Sequence, residues 1–329
     1  MSEINIASLF SGAGGLDLGF ELAGFNISWS NEFDKTIWET HKRNFPNCIL
    51  DQRSIVEVQG NDIPEISGFI GGPPCQSWSE AGSRKGIDDH RGQLFYEYIR
   101  LLNEKKPLFF LAENVSGILH KKHEDAFNNI LKSFEDSGYN ISFKLLNAND
   151  YNVPQDRLRV FIVGIRKEYK DIFFKFPEPF GFNLKLKDYI FDIKDNAVPS
   201  DEKNKFNRNT LIPNHEYMTG GFSSIFMSRN RVRSWEEPSF TIQAGGRHAP
   251  IHPNAPKMIK LETDKFEFVK EKEKFYRRMS IRECARVQTF PDSFIFEYNS
   301  VVDGYKMVGN AVPVNLARVL AEQIKKQLF

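Results

Sequence analysis

The first 173 residues of the chain alternate short apolar runs with helical segments. Strands are predicted over residues 4–10, 25–30, 68–70, 108–112, 141–146 and 159–165, and helices over residues 16–23, 93–104 and 123–137. Strands and helices that alternate in this way are typical of a parallel β-sheet with helices on both faces. The sequence therefore predicts an α/β fold.

The pattern changes after residue 173, where proline, asparagine and lysine replace the alternating apolar runs. Residues 174–274 are predicted to form a separate, smaller and loop-rich domain. Residues 1–173 plus 301–329 are predicted to form the larger domain, and residues 275–300 the hinge that connects the two. The smaller domain is thus expected to be inserted near the end of the larger one.

Regular structure is predicted to return near the C-terminus of the chain. Ser280 and Glu283 have the spacing of a capping box, which predicts a helix over residues 280–287. A last strand over residues 305–308 and a last helix over residues 315–326 continue the α/β pattern of the first half. These two elements are expected to complete the larger domain.

Composition excludes several classes of protein. With 329 residues, 40% hydrophobic and 13% aromatic, the chain has enough apolar surface for a large core, so it is not disordered. It has neither a secretion signal nor an apolar run of the roughly 18 residues that span a membrane, which predicts a cytoplasmic protein.

Its 3 cysteines lack CxxC spacing, so no disulfide and no zinc site is expected, and a structural role is predicted for Cys48 and Cys284.

The charges are unevenly distributed, although the formal net charge is only +1. Residues 1–65 carry a net charge of −6, so the remainder carries +7. Basic side chains are concentrated in residues 274–286 and in a second segment that contains Arg229, Arg231, Arg233 and Arg247. Such segments bind phosphates or bases, although a solvated basic surface explains the charges equally well.

A glycine-rich turn at residues 12–15 lies between the first predicted strand and the first predicted helix. It would let a ligand approach the backbone at a helix N-terminus, and Glu32 has the position of a carboxylate that binds ribose hydroxyls. Asp17 stands where the dinucleotide fingerprint has its third glycine, which favours an adenosine-containing ligand other than a nicotinamide cofactor. A purely structural turn remains the alternative.

Cys75 follows the predicted strand at residues 68–70, at the edge of a parallel sheet where ligands usually bind. Two prolines fix the backbone just before it. A thiol in this position can act as a nucleophile when its pKa is lowered or a proton acceptor is near. A zinc deaminase would need a second cysteine where this chain has Trp78, so that class is excluded.

The remaining candidate catalytic residues are Glu113, Arg157 and Arg159. Glu113 directly follows the apolar strand at residues 108–112, where its carboxyl group, kept protonated by desolvation, would donate to a ring nitrogen. Arg157 and Arg159 are two residues apart and share one face of an extended segment. The alternative for Glu113 is an acid at the start of a helix. The alternative for the two arginines is a solvated strand edge.

Seven segments of the chain resemble the ordered motifs of DNA (cytosine-5)-methyltransferases, over nearly its whole length. They are Phe10-Ser11-Gly12-Ala13-Gly14-Gly15, Glu32, Gly72-Pro73-Pro74-Cys75-Gln76, Glu113-Asn114-Val115, Gln155-Asp156-Arg157-Leu158-Arg159, Arg282-Glu283-Cys284-Ala285-Arg286-Val287-Gln288 and Gly309-Asn310-Ala311-Val312-Pro313. Their order is as diagnostic as their content. Residues 225–233 and Gly246-Arg247 also resemble the recognition region of the HaeIII-type enzymes, which modify the inner cytosine of GGCC.

The resemblance implies a Rossmann-like S-adenosylmethionine-dependent methyltransferase domain, a smaller target-recognition domain and no metal. The residues implied to line the cofactor pocket are Phe10, Gly12, Gly14, Gly15, Glu32, Phe33, Ser54, Ile55, Pro74, Leu94, Asn310 and Val312. Among them, Phe33 is implied to pack against the adenine and Glu32 to bind the ribose. Ser54 departs from the family, which usually has an aspartate there for the adenine amino group; Ser54 or the nearby Asp51 would have to replace it.

The implied activity is methyl transfer to C5 of a cytosine flipped out of duplex DNA, with S-adenosylhomocysteine as the product. Cys75 is implied to add to C6 of the cytosine while Glu113 donates a proton to N3. Arg159 is implied to hold O2, and Arg157 to support the site or a phosphate. Arginine is the commonest major-groove partner of guanine, and the implied DNA-binding residues are Arg229, Arg231, Arg233 and Arg247.

The implied partner is double-stranded DNA, bound by a monomer in the bacterial cytoplasm close to the nucleoid. A cognate restriction endonuclease would act on the same site without forming a stable complex. Two other functions stay open, a tRNA cytosine-5 methyltransferase and a catalytically silent DNA-binding regulator of the same fold. The arginines of the 174–274 domain argue against the first, and the presence of Cys75, Glu113 and Arg159 argues against the second.

Overall fold

The first strands and helices have nearly the bounds that the sequence predicts, in a computed structural model that describes residues 3–74, 93–181, 184–207 and 209–329. In chain order they are β1 (Asn5–Leu9), α1 (Gly15–Leu22), β2 (Asn26–Asn31), α2 (Trp38–Asn44), β3 (Ile49–Asp51), β4 (Gly68–Gly71), α3 (Gln93–Lys105), β5 (Phe109–Val115), α4 (Glu124–Asp136), β6 (Tyr139–Asn147) and β7 (Leu158–Arg166). The predicted alternation of strands and helices is confirmed.

Strands β1 to β7 form one sheet of seven strands within the described ranges, in the order β3-β2-β1-β4-β5-β7-β6. Strand β1 pairs in parallel with β2 on one side and with β4 on the other. The strand order therefore reverses at β1. A crevice forms at such a reversal, at the carboxyl ends of the strands, and this is where open α/β sheets bind their ligands.

Strand β7 runs opposite to its neighbours, so the prediction of a parallel sheet is wrong at this position. It pairs antiparallel with both β5 and β6, and Arg159 lies opposite Val115. The physical reason is the connection: parallel neighbours need a crossover of about a dozen residues or more, whereas only residues 148–157 join β6 to β7. As a result, the start of β7 lies beside the carboxyl end of β5.

Two apolar cores cover the two faces of the sheet. Phe109 packs on one face with residues of α1 and of the C-terminal helix, whereas its neighbour Phe110 packs on the other face with residues of α3 and α4. Successive side chains of a strand point to opposite faces, so both positions must be apolar in a strand that is covered on both sides. The core therefore holds the carboxyl edge of the sheet in a fixed arrangement.

The loop-rich character predicted after residue 173 is confirmed. The short elements there are α5 (Lys187–Ile190), β8 (Val198–Pro199), β9 (Glu216–Tyr217), β10 (Ile259–Glu262) and β11 (Lys265–Glu267). A small core of their own contains Phe226, Val232, Ile251 and Met258. The predicted domain division stays a prediction, and Phe174 still packs in the core of the sheet.

The C-terminal elements are α6 (Ile281–Val287), α7 (Val301–Asn310) and α8 (Val314–Leu328). The capping box of Ser280 and Glu283 is confirmed at the start of α6. The predicted strand over residues 305–308 is wrong, because these residues belong to α7. Val301, Tyr305 and Val308 are all buried and have the i, i+4, i+7 spacing of a helix face. The predicted strand covers only four residues, too few to show this spacing.

Within the described ranges, no helix is both long enough and apolar enough to cross a membrane.

Candidate functional site

The loops that follow β1, β2, β4 and β5 are joined by side-chain contacts at the carboxyl edge of the sheet. The backbone N–H of Gly12, after β1, donates to the carboxylate of Glu32, after β2, at 2.9 Å. Asn114, at the end of β5, donates through Nδ2 to the carbonyl of Pro73, after β4, at 3.2 Å. The predicted site residues of four strands are thus brought to one edge.

The turn between β1 and α1 requires glycine at several positions. Gly12 and Gly14 have φ values of +57° and +87°, in the left-handed region that other residues rarely adopt. Gly15 is needed for a different reason, because a Cβ there would lie 2.4 Å from the carbonyl oxygen of Val312. The turn therefore packs directly against the segment that follows α7, and the predicted pocket residue Val312 lies beside it.

We expect Gly15→Ala to lower the free energy of unfolding by about 1–3 kcal/mol, the usual cost of forcing extra volume into a packed site. Gly12→Ala is the matched control, because nothing lies within 4 Å of a Cβ at that position and only backbone strain opposes it. Urea denaturation of both variants measures the difference. An equal loss of unfolding free energy in the two variants would show that the contact with Val312 does not determine the cost of a Cβ at position 15.

Glu32 has its carboxylate fixed by two backbone amides. Gly12 N donates to Oε2, and Asp34 N donates to Oε1 at 2.7 Å. Burial raises the pKa of Glu32, and these two hydrogen bonds oppose the rise. A carboxylate oxygen has more than one acceptor position, so Glu32 can still accept hydrogen bonds from a pair of ribose hydroxyls.

The residues predicted to recognise adenine differ in what they contact. The Phe33 ring is 70% exposed, as a surface for stacking requires. Ser54 forms a capping box with Glu57. Asp51 accepts hydrogen bonds from the backbone and side chain of Arg53, and this guanidinium holds the pKa of Asp51 below its usual value. Arg53 thus occupies part of the Asp51 carboxylate, and the choice between Ser54 and Asp51 as replacement for the missing aspartate stays a prediction.

The other predicted pocket residues vary in exposure. Asn310 is exposed, Phe10, Pro74 and Leu94 are half-buried, and Ile55 and Val312 are buried. Phe10 has a φ of +54°, an unfavourable value for a non-glycine residue. Such strain is maintained only where the surroundings require it, and here it accompanies the sharp exit of the chain from β1.

Glu113 and Arg159 form an ion pair at the carboxyl end of β5. Arg159 Nε lies 2.9 Å from Glu113 Oε1, and the two side chains are 14% and 12% exposed, respectively. A Cβ at Gly72 would lie 3.2 Å from Glu113 Oε2, so the second oxygen of the carboxylate lies beside the loop that leads to residue 75. The contact of Glu113 with Arg159 arises because β7 is antiparallel to β5.

Cys75 lies outside the described residues, and its role stays a prediction. The two described cysteines fit the structural role expected of them. Cys48 Sγ donates to Ser30 Oγ at 3.2 Å, and burial raises the pKa of Cys48 to about 12. Burial also raises the pKa of Cys284, which is 0% exposed. In the described part of the chain, no cluster of three or more His, Cys, Asp or Glu side chains is placed to hold a metal.

Arg157 is enclosed by protein, with 1% of its surface exposed. Its guanidinium donates to the carbonyls of Ile242, Gly309 and Ala311 at 2.9, 2.9 and 3.0 Å. Burial lowers the pKa of Arg157, as does the nearby Arg159. The predicted contact of Arg157 with a phosphate does not fit this enclosed position, whereas support of the site from within does.

Two of the four arginines predicted to bind DNA have their guanidinium groups bound by protein. Arg231 is 8% exposed and donates to the carbonyls of Phe226 and Ile225 at 2.8 and 3.0 Å. Arg233 is paired with Asp156 at 2.9 Å and with Glu237 at 3.3 Å. The two guanidinium groups are thus held partly by protein acceptors, and contact of Arg231 and Arg233 with DNA stays a prediction.

Arg229 and Arg247 differ from these two. Both are exposed, and neither guanidinium has a hydrogen-bond or ion-pair partner among the residues that the structure describes. Burial lowers the pKa of His248, and four nearby arginines, Arg231, Arg278, Arg229 and Arg247, add to the effect. We call these four arginines and His248 the basic patch. Such a concentration of positive charge suits a polyanion.

A pair of buried glutamines was not singled out in the sequence. Gln155 Nε2 donates to Gln288 Oε1 at 2.8 Å, and both side chains are 0% exposed. Gln155 also accepts from Ile242 N, and Gln288 donates to the carbonyl of Val308, each at 2.8 Å. Both residues lie within motifs quoted above, but 133 positions separate them, so only the fold reveals the pair.

Comparison with known proteins gives one consistent result. The model of the family described as C-5 cytosine-specific DNA methylase matches residues 4–326. Type II methyltransferase M.FnuDI of Fusobacterium nucleatum is 57% identical over 328 residues, covering 99% of this chain and 95% of that protein. Type II methyltransferase M.MthTI of Methanothermobacter thermautotrophicus is 57% identical over 327 residues, covering 99% and 98%. A solved structure, of a proposed DNA modification methyltransferase encoded within an E. coli prophage, has a TM-score of 0.73 at 25% identity and covers 98% of this chain and 99% of that one.

Proposed function

The chain belongs to the C-5 cytosine-specific DNA methylase family, and we propose that it methylates the inner cytosine of GGCC after flipping that base out of the duplex. Its enzyme class, DNA cytosine-5 methyltransferase, follows from the family and from its Type II relatives. The observation that carries the proposed chemistry is the Glu113–Arg159 pair beside the loop that leads to Cys75. The GGCC recognition sequence and the individual catalytic steps are proposals.

The proposed site for S-adenosylmethionine is at the carboxyl ends of β1 and β2, beside the reversal of strand order. Gly12 and Gly14, with positive φ, leave backbone that a ligand can approach closely. Glu32 presents a fixed carboxylate for the ribose, and Phe33 an exposed ring for the adenine. When bound, S-adenosylmethionine supplies an electrophilic methyl group. The residues of this chain bind and orient it.

The proposed chemistry begins with the cytosine, because its C5 is a poor nucleophile. The thiolate of Cys75 adds to C6, and Glu113 places a proton on N3, so the electron pair of the C5–C6 bond becomes available at C5. Arg159 holds O2, which keeps the ring beside Glu113. After methyl transfer, water removes the C5 proton, Cys75 leaves as a thiolate, and N3 returns its proton to Glu113, which restores the neutral ring and the carboxyl group.

Base flipping follows from the geometry of this attack. The thiolate must approach C6 from above the ring plane, and in a duplex the neighbouring bases occupy that space. Extruding the base costs a few kcal/mol, which contacts with the rest of the DNA must supply. The basic patch is our proposed source of these contacts, since its charges have no carboxylate partner that the structure describes.

Bisulfite sequencing of random duplex DNA, treated with the pure protein and S-adenosylmethionine, tests the proposal. We expect 5-methylcytosine at the inner position of GGCC. Methylation at another motif would overturn the site, and methylation of tRNA in a parallel assay with none on DNA would overturn the substrate. DNA with 5-fluorocytosine at the target should trap a covalent adduct, because fluorine cannot leave as a proton.

Arg247→Ala should reduce the preference for GGCC over sites with one changed base by about 1–3 kcal/mol, roughly 5- to 150-fold, the usual range for one arginine–guanine contact. Binding competition between the two duplexes measures this change. Arg318→Ala on α8, which removes an exposed arginine paired with Glu322, is the control. An equal loss of affinity for all duplexes would reassign Arg247 to a phosphate contact.

A further inference from the structure

Residues 152–157, which lead into β7, touch two later segments of the chain at once. One is residues 239–246, in the predicted target-recognition domain; we call it the recognition segment. Asp156 N donates to the carbonyl of Ser239 at 2.9 Å, and Gln155 accepts from Ile242 N at 2.8 Å. The other is residues 308–312, which we call the cofactor-side turn, because Asn310 and Val312 belong to the proposed cofactor pocket.

Arg157 binds both segments through a single planar group. Nη1 donates to the carbonyl of Ile242, and Nη2 donates to the carbonyls of Gly309 and Ala311, all within 3.0 Å. The donors of a guanidinium have fixed relative directions, so the distance between the two acceptor segments is set by the group itself. Lysine cannot reproduce this arrangement, because its donors lie on one atom.

Further contacts join the same two segments. A Cβ at Gly309 would lie 2.3 Å from the carbonyl carbon of Gln243, so the backbones of the two segments are in direct contact. Gln288 donates to the carbonyls of Val308 and Ala311 and accepts from Gln155. Each hydrogen bond is buried, and a buried carbonyl that lost its donor would cost about 1–3 kcal/mol. The two segments therefore have one preferred arrangement.

This arrangement also includes the reacting groups. Arg157 is two residues from Arg159, whose Nε lies 2.9 Å from Glu113 Oε1. At the other end, the carbonyl of Val312 faces Gly15 of the glycine turn. A shift of the cofactor-side turn would therefore be passed through Arg157 to the recognition segment and to the start of β7.

We propose that Arg157 is a positioning residue that holds the recognition segment and the cofactor-side turn in one arrangement, so that filling the cofactor pocket favours the DNA-binding arrangement. The inference rests on the proposed function, because it requires that the two segments serve the cofactor and the DNA. Arg157 contacts neither ligand itself. It acts through the carbonyls of Ile242, Gly309 and Ala311.

The test compares the affinity of a GGCC duplex with and without saturating S-adenosylhomocysteine. For the unmodified protein, we expect the ligand to strengthen DNA binding by about 5- to 150-fold, the usual range of coupling between two sites. In Arg157→Lys, this factor should fall to within about twofold of one, while DNA affinity without the ligand changes less. By reciprocity, the duplex should also cease to strengthen ligand binding in this variant.

Arg282→Lys is the matched control. Arg282 is 0% exposed and donates to the carbonyls of Pro213, Pro291 and Phe294, so its replacement removes buried bonds of the same kind. Loss of stability alone would affect both variants equally, and we expect only Arg157→Lys to lose the coupling. If Arg157→Lys does not fold, Gln155→Met takes its place, because it removes the bonds to Ile242 and Gln288.

The outcomes separate the inference from the proposed function. Unmodified protein that binds GGCC DNA and S-adenosylhomocysteine without coupling, or coupling that persists in Arg157→Lys, overturns the inference alone. Coupling lost equally in Arg157→Lys and Arg282→Lys also overturns it. Unmodified protein that binds neither the duplex nor S-adenosylhomocysteine overturns the proposed function, and the inference with it.

Discussion

Cys75→Ser should lower the rate of methylation by roughly four orders of magnitude or more, while specific binding of duplex DNA is retained. The reason is the nucleophile: a serine hydroxyl is far less acidic than a thiol and is a poor nucleophile toward C6 without a strong base. The site-binding residues are unchanged by the substitution. Transfer of a labelled methyl group measures the rate, and a gel-shift assay measures the binding.

Cys48→Ser is the control for this experiment. Cys48 is half-buried, donates to Ser30 and is not one of the predicted site residues. We expect this variant to keep its methylation rate. Full activity in Cys75→Ser would exclude the covalent mechanism, and equal losses in the two variants would point to general damage to the fold.

Glu113→Gln should lower the methylation rate by about 10²- to 10⁴-fold, the usual contribution of a positioned proton donor or acceptor. Glutamine has nearly the same shape and can still accept from Arg159, so the pocket keeps its form. It cannot supply a carboxyl proton to N3. We therefore expect the loss in kcat, with little change in KM for DNA.

Glu97→Gln provides the matched control, because Glu97 also forms a glutamate–arginine pair, with Arg100 Nε at 2.7 Å, on helix α3. Single-turnover rates separate chemistry from product release in both variants. A Glu113→Gln enzyme whose only defect is weaker DNA binding would contradict the proposed role, because N3 protonation concerns the chemical step.

Local patterns in the sequence predicted most of the strands and helices of the first 173 residues. The strand, glycine turn and helix at the start of the chain appear as expected, since hydrophobic periodicity and glycine positions are local properties. The segment at residues 305–308 was misassigned because four residues do not reveal a helical period. Strand β7 was assigned correctly, but its direction depended on the length of its connection.

The arginines show where local patterns are insufficient. Arg229, Arg231, Arg233 and Arg247 look alike in the sequence, and all four were predicted to bind DNA. In the structure, Arg231 and Arg233 donate to nearby protein groups, whereas Arg229 and Arg247 are exposed. A guanidinium has the same charge in each case. Which acceptors surround it depends on how the chain folds around it: Arg231 donates to carbonyls five and six positions away, whereas Arg233 is paired with Asp156, 77 positions away.

The sequence by itself determined the family, the α/β pattern and the residue types that the reaction needs, because motifs and periodicities are written along the chain. Only the tertiary structure decided which of these residues meet. The antiparallel direction of β7 places Arg159 against Glu113, and the buried Arg157 donates to carbonyls of two later segments of the chain. The physical reason is that hydrogen bonds and desolvation depend on distances in space, and residues far apart in sequence, such as Arg157 and Ala311, are brought within bonding distance only by packing.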